Sequence, residues 1–151
     1  VASFVGTFAK GRVIEKCALP LGTDNILIIP LQSSGLPSDT TLRNAANLAA
    51  IFTAGALEAT FTGYARKVLS SSDITIANNT GTFVATATVN AAQTWASAGG
   101  ALNNTITKIV VAYRPTSGTA DSGCMVLATQ DYSGSTTGGA FTVTVGVLSA
   151  T

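Results

Sequence analysis

The chain reads as a mainly β protein, a β-sandwich or jelly-roll-like barrel with one α-helix in a crossover and an extended N-terminal arm. Three observations predict it. Phe141, Val143, Val145 and Val147 alternate with Thr142, Thr144 and Gly146, the period-two pattern of a strand with one buried face. Asn103 to Tyr132 places two apolar runs around a polar turn, which reads as a hairpin with a medium loop. Asp73 to Ala77 and Thr82 to Val89, rich in Thr and Val, flank Asn78-Asn79-Thr80-Gly81 and read as a second hairpin. Strands at short intervals with turn clusters between them are the sequence form of a sandwich or barrel.

Phe4, Gly6 and Phe8, followed by Arg12, Val13 and Ile14, predict an N-terminal strand or extended arm over Ser3 to Leu19, closed by Pro20 and Gly22. Asn25 to Leu31 is almost wholly apolar, as a buried strand would be, and Pro30 places its end near an edge or bulge. Ser38 or Thr40 can cap one helix with Asp39 in its first turn, Leu42, Ala45, Ala49 and Phe52 on its apolar face, and Gly55 as its stop. Glu58 to Leu69 can serve as a strand, with helix as the competing reading. In the Asn103 to Tyr132 block, Ile106, Lys108, Val110, Ala112 and Arg114 fall on one strand face, opposite Thr107, Ile109, Val111 and Tyr113. Pro115 ends that strand, and Ser133 to Gly139 reads as a flexible loop.

The length of 151 residues fits one domain over residues 1–151, with residues 1–14 as the possible arm. Charged residues make up only 10%, against roughly 25% in ordinary soluble domains. Thr, Ala, Gly and Ser fill the surface instead, and neutral strands are poorly protected against edge pairing. The net charge of +1 gives no field to steer a polyanion, so a nucleic-acid partner is not expected, and no apolar run approaches the roughly 20 residues of a membrane span. Val1 to Ala9 lacks the charge order of a secretory signal. Cys17 and Cys124 read as buried thiols in preference to a bridge.

The chain contains no histidine, which removes His-based triads, the commonest general base and the commonest transition-metal ligand. Glu15, Asp24, Asp39, Glu58, Asp73, Asp121 and Asp131 form no close motif, and several adjoin turn or cap residues where Asp bonds local amides. No catalytic, cofactor-binding or metal site is expected. Trp95, with Tyr64, Tyr113 and Tyr132, can line either a sugar-binding face or, as the composition favours, a core or subunit interface.

The order TLRNAANLAAIFTAG, EATFTGYARKVLS and QTWASAGGALNNTITKIVVAYRPTSGTADSGCMVLATQDY resembles a group of tailed-bacteriophage structural proteins described as head-decoration or minor tail proteins. The resemblance spans about Val5 to Val147. It implies a virion protein, not an enzyme, assembled in the bacterial host cytoplasm onto the phage head surface, with the tail as the alternative. Its implied partners are the major capsid protein and copies of itself as a dimer or trimer. Phe4, Phe8, Arg12 and Ile14 would then pair with a neighbouring subunit by strand addition, and Lys108 and Arg114 would be further subunit contacts. On the tail alternative, Trp95 would touch host surface glycans.

Overall fold

The computed structural model describes residues 3–6, 12–18, 22–81 and 84–150, and it has a mainly β architecture. In chain order the described elements are β1 (Ser3–Val5), α1 (Val13–Ala18), β2 (Asn25–Gln32), α2 (Asp39–Arg43), α3 (Leu48–Thr53), β3 (Lys67–Leu69), β4 (Ile74–Asn79) and β5 (Val84–Val89). They continue with β6 (Gln93–Trp95), β7 (Thr105–Arg114), β8 (Met125–Ser135), β9 (Phe141–Val143) and β10 (Leu148–Ala150).

The main sheet is antiparallel, in the order β1-β8-β7-β2-β3. Both its faces are covered, which is why β2 and β7 read as near-continuous apolar runs instead of clean alternations. On one face Leu27, Ile29, Leu31, Val110, Ala112 and Val126 pack against Leu42, Leu48 and Ile51 of the helices. On the other, Ile26, Ile28, Ile109, Val111 and Leu127 meet two smaller sheets, β10-β5-β4 and β6-β9, and the buried Val13 and Cys17 of α1. Cys17 and Cys124 are free thiols in these two separate cores, with the main sheet between them.

The β7–β8 hairpin forms as the Asn103 to Tyr132 pattern predicts, with irregularities in register between Ile106 and Lys108 and between Val111 and Ala112. The first of these turns Ile106 into the core opposite Val110 and Ala112, so it leaves the face that simple alternation assigns to it. The β4–β5 hairpin also forms, although Thr82 and Phe83 lie outside the described residues. Pro30 sits in a central strand beside a register shift. Its carbonyl accepts from Ala59 N–H, so its missing donor faces the irregular segment on that side and costs the β7 ladder nothing.

Three expectations are corrected. The single helix from Ser38 to Gly55 is two short ones. Ser38 caps α2 by accepting from Thr41 N–H, but the Asn47 side chain accepts from Ala50 N–H and starts α3 afresh. Asn competes with helical backbone bonding in this way, and Leu48 N–H goes to Cys124 O, tying the break to the sheet. The Phe141 to Val147 alternation is also split. After β9 pairs with β6, the chain crosses to the neighbouring sheet as β10, leaving Val147 exposed at the crossing. Finally, Ser133 to Ser135 continue β8 instead of opening a loop.

Candidate functional site

The residues assigned to intermolecular contact are, in this chain, largely occupied within it. The described start of the expected arm is not free, because Ser3–Val5 pairs with Ala128 to Gln130 as the edge strand of the chain's own sheet, while residues 7–11 lie outside the described residues. Phe4 is half-buried against the helix-side core. Ile14 packs on the opposite core from a helix, not a strand, while Phe8 lies outside the described residues. Arg12 is exposed and sits 3.6 Å from Glu15 one helical turn on. Arg114 donates to Asn25 Oδ1 across the β2–β7 pair. Trp95 is only 4% exposed. Its Nε1 donates to Ala65 O, and its ring packs against Phe61, Tyr64 and Phe141, so it is a core anchor that presents almost no surface to a ligand.

Two knots of charge stand out. In the first, Arg66 takes Glu58 through Nε and Nη2 at 2.8 and 2.5 Å, and Asp121 through Nη1 and Nη2 at 2.6 and 3.0 Å. Hydrogen bonds donated to Glu58 and then Asp121 hold the guanidinium firmly charged against the cost of burial, and Arg66 in turn holds Asp121 below the usual carboxylate range. Tyr64 donates its hydroxyl to Glu58 at 2.6 Å, and burial first, then the Glu58 charge, push that phenol up. Beside it, Gly63 at φ 84 passes close to the Ser97 backbone, where a Cβ would lie 2.5 Å from Ser97 O.

The second knot centres on Lys108, whose side chain is 7% exposed. Its Nζ lies 2.6 Å from Asp39 Oδ1 and in closer contact with Asp131 Oδ1. Lys108 and Asp131 are cross-strand register partners, and Asp39 comes from the first turn of α2. Burial opposes the Lys108 charge, but the hydrogen bonds and charges of Asp131 and Asp39 outweigh it and raise its pKa. The Phe4 ring covers the amine at 5.8 Å and carries Arg43 at 4.5 Å. Lys108, expected on the surface, is therefore drawn inward by two acids that sequence separation hides. Asp39 was legible as a helix-start residue; nothing in the sequence pairs it with Lys108.

Every charged side chain among the described residues is engaged in this way. Lys16 lies over Tyr113, Lys67 over Trp95, Asp24 accepts from Tyr113, and Asp73 closes a turn at Ser70. Beyond the few exposed charges, such as Arg12, Glu15, Asp39 and Arg43, the outside is mostly Thr, Ser, Ala, Gly and Asn, with Leu57, Val68, Leu102 and Val147 as exposed apolar side chains. Val68 lies on β3, an edge strand of the main sheet. A groove of about 500 Å³ runs between Gln130 to Ser133 of β8 and Thr142 and Thr144. Its floor is stitched by Tyr132 Oη donating to Thr142 O and Gln130 Nε2 to Thr144 O.

No group of three or more Cys, Asp or Glu among the described residues is placed to hold a metal ion, and no described helix is long and apolar enough to cross a membrane. Comparisons with protein-family models, curated proteins and solved structures find no match.

Proposed function

We propose that the protein is a non-enzymatic structural component of a phage particle, a decoration or cement protein that stabilises the head through subunit contacts. The observation that supports this reading is the engagement of every described charged side chain within the chain, which leaves a surface poor in unpaired charge, with short sheet edges and exposed apolar residues. Such a surface offers no field to steer a charged ligand and little protection against edge pairing, and it suits a subunit whose edges neighbours cover. The contacts fall on Val68 of the β3 edge and on Leu57 and Leu102, with the major capsid protein and further copies as partners. Cryo-electron microscopy of purified particles tests it. Density for this fold at capsid lattice positions is expected, and particles whose heads and tails both lack it overturn the reading.

A second reading rests on the groove. Tyr132 flanked by Gln130, Asp131, Ser133, Thr142 and Thr144 combines one aromatic ring with several hydroxyl and amide groups, the chemistry of a sugar site on a tail or fibre protein. It predicts binding of host surface polysaccharide that Tyr132→Ala abolishes, and no detectable binding by the unaltered protein removes it.

A further inference from the structure

Lys108 has the setting of a reactive amine, not only of an ion-pair partner. Its Nζ is enclosed, touches the carboxylate of its register partner Asp131, and has a second carboxylate, Asp39, at 2.6 Å. One flank is the Phe4 ring, and Val110 and Ala112 follow on the same strand face within the helix-side core. The two acids differ. Asp131 is 38% exposed and fixed on a ten-residue by eleven-residue strand pair, whereas Asp39 is 51% exposed at the start of a five-residue helix. An amine, a carboxyl group held against it that becomes electrophilic once protonated, and an adjacent carboxylate to move protons are the components of an intramolecular amide linkage.

We propose that Lys108 Nζ and Asp131 Cγ become joined by an isopeptide bond, with Asp39 as the proton carrier. The reaction begins from the ion pair. The neighbouring carboxylates favour the ammonium, so the reactive form is the minor tautomer in which one ammonium proton has passed to the Asp131 carboxylate, leaving a neutral amine against a carboxylic acid. The nitrogen lone pair attacks Cγ, forming the Nζ–Cγ bond and a tetrahedral carbon. Asp39 then takes a second proton from the nitrogen and delivers it to the departing hydroxyl, the Cγ–O bond breaks, and water leaves. Ammonium and carboxylate have become one amide and one water, Asp39 is again a carboxylate, and no oxidant or co-reactant enters. The driving factor is orientation: groups held in register reach effective concentrations of about 10⁵–10⁸ M, far beyond what free amine and acid reach in water. The amide also removes the cost of enclosing the Lys108 charge, whose side chain is the enclosed member of the pair.

Intact-mass spectrometry of the denatured full chain is the test. The unaltered protein is expected to be lighter than its sequence mass by one water, and a tryptic digest should contain a branched peptide joining the Lys108 and Asp131 segments, uncleaved after Lys108. Lys108→Met, Asp131→Ala and Asp39→Ala should each restore the full sequence mass while keeping a β-rich circular dichroism spectrum. A cyclic imide at an aspartate would also lose one water, so a deficit that survives Lys108→Met overturns the proposal. A full sequence mass in the unaltered protein overturns it too, as does a branch joining Lys108 to Asp39.

Discussion

Arg66 and Lys108 each gather two carboxylates, yet the two knots are built for different ends. Arg66 is more open, 27% exposed, and spreads its planar fork so that four hydrogen bonds tie Glu58 and Asp121, residues 63 positions apart in the chain. A guanidinium does not give up its proton and cannot become a nucleophile, so this knot is a clamp and nothing else. Lys108 is enclosed, and its point-charge amine can pass a proton to the acid it touches. The lesson is that an equal number of charges gives a fastener in one case and a convertible group in the other, according to cation type and enclosure.

The largest effect should come from the support behind the Arg66 clamp. Tyr64 both donates to Glu58 and stacks on Trp95, with ring centroids 6.4 Å apart, so the aromatic core positions one arm of the clamp. Trp95→Ala removes that platform and leaves a cavity among Phe61, Tyr64 and Phe141. Urea denaturation should register a loss of about 3–5 kcal/mol. A loss below about 1 kcal/mol would mean that the clamp stands without its aromatic support.

Next in size is the clamp itself. Arg66→Met leaves Glu58 and Asp121 facing each other's neighbourhood without a cation. Partial exposure lets both acids rehydrate, so the cost should be about 2 kcal/mol, below the 3–5 typical of a fully buried broken pair. Its pH dependence separates the two knots. Asp121 is held below the usual carboxylate range in the folded chain, so the unfolded chain binds more protons in acid. The clamp's stabilisation is therefore complete above that range and fades as pH falls below about 4 and through the folded value. Arg66→Met should flatten the acid limb of the stability curve, and an unchanged limb would show that other carboxylates govern acid unfolding.

A smaller effect concerns the helix-covered face. Asn47→Ala deletes the side-chain bond to Ala50 N–H and should cost about 1 kcal/mol, because α3 begins at that cap and not by continuation of α2. If the two segments could run together, the substitution would be neutral or stabilising.

These cases also mark how far the sequence was legible. Local features were readable: both hairpins, the β2 strand, the Ser38 cap and the neutral surface follow from patterns a few residues long. The helix break was missed because the Asn44 to Asn47 stretch preserves the apolar spacing of Leu42, Ala45 and Leu48 while the Asn47 side chain bonds the backbone. The truncated N-terminal strand was misread because Val13 and Cys17, at four-residue spacing, are also a helix face. The knots were not readable at all: Arg66 meets Asp121 and Lys108 meets Asp39 only after the sheet has formed, and each acid alone looks like a cap or turn residue.

The finest probe of whether the two faces are independent comes from the thiols. Cys17 lies in the core shared with Trp95, and burial pushes its pKa up to about 12, leaving negligible thiolate at neutral pH. Cys124 lies in the helix-side core, where burial first and the Asp121 charge next raise it as well. In the native protein neither should react with a thiol-specific disulfide reagent, whereas both should react in denaturant, and non-reducing mass analysis should show no bridge because the main sheet separates them. Trp95→Ala removes a ring from the core that holds Cys17, whereas Cys124 lies in the other core. If the faces open separately, Cys17 labels well before Cys124 in that variant. Simultaneous labelling would mean that the sheet transmits the defect and that the two cores unfold as one cooperative unit.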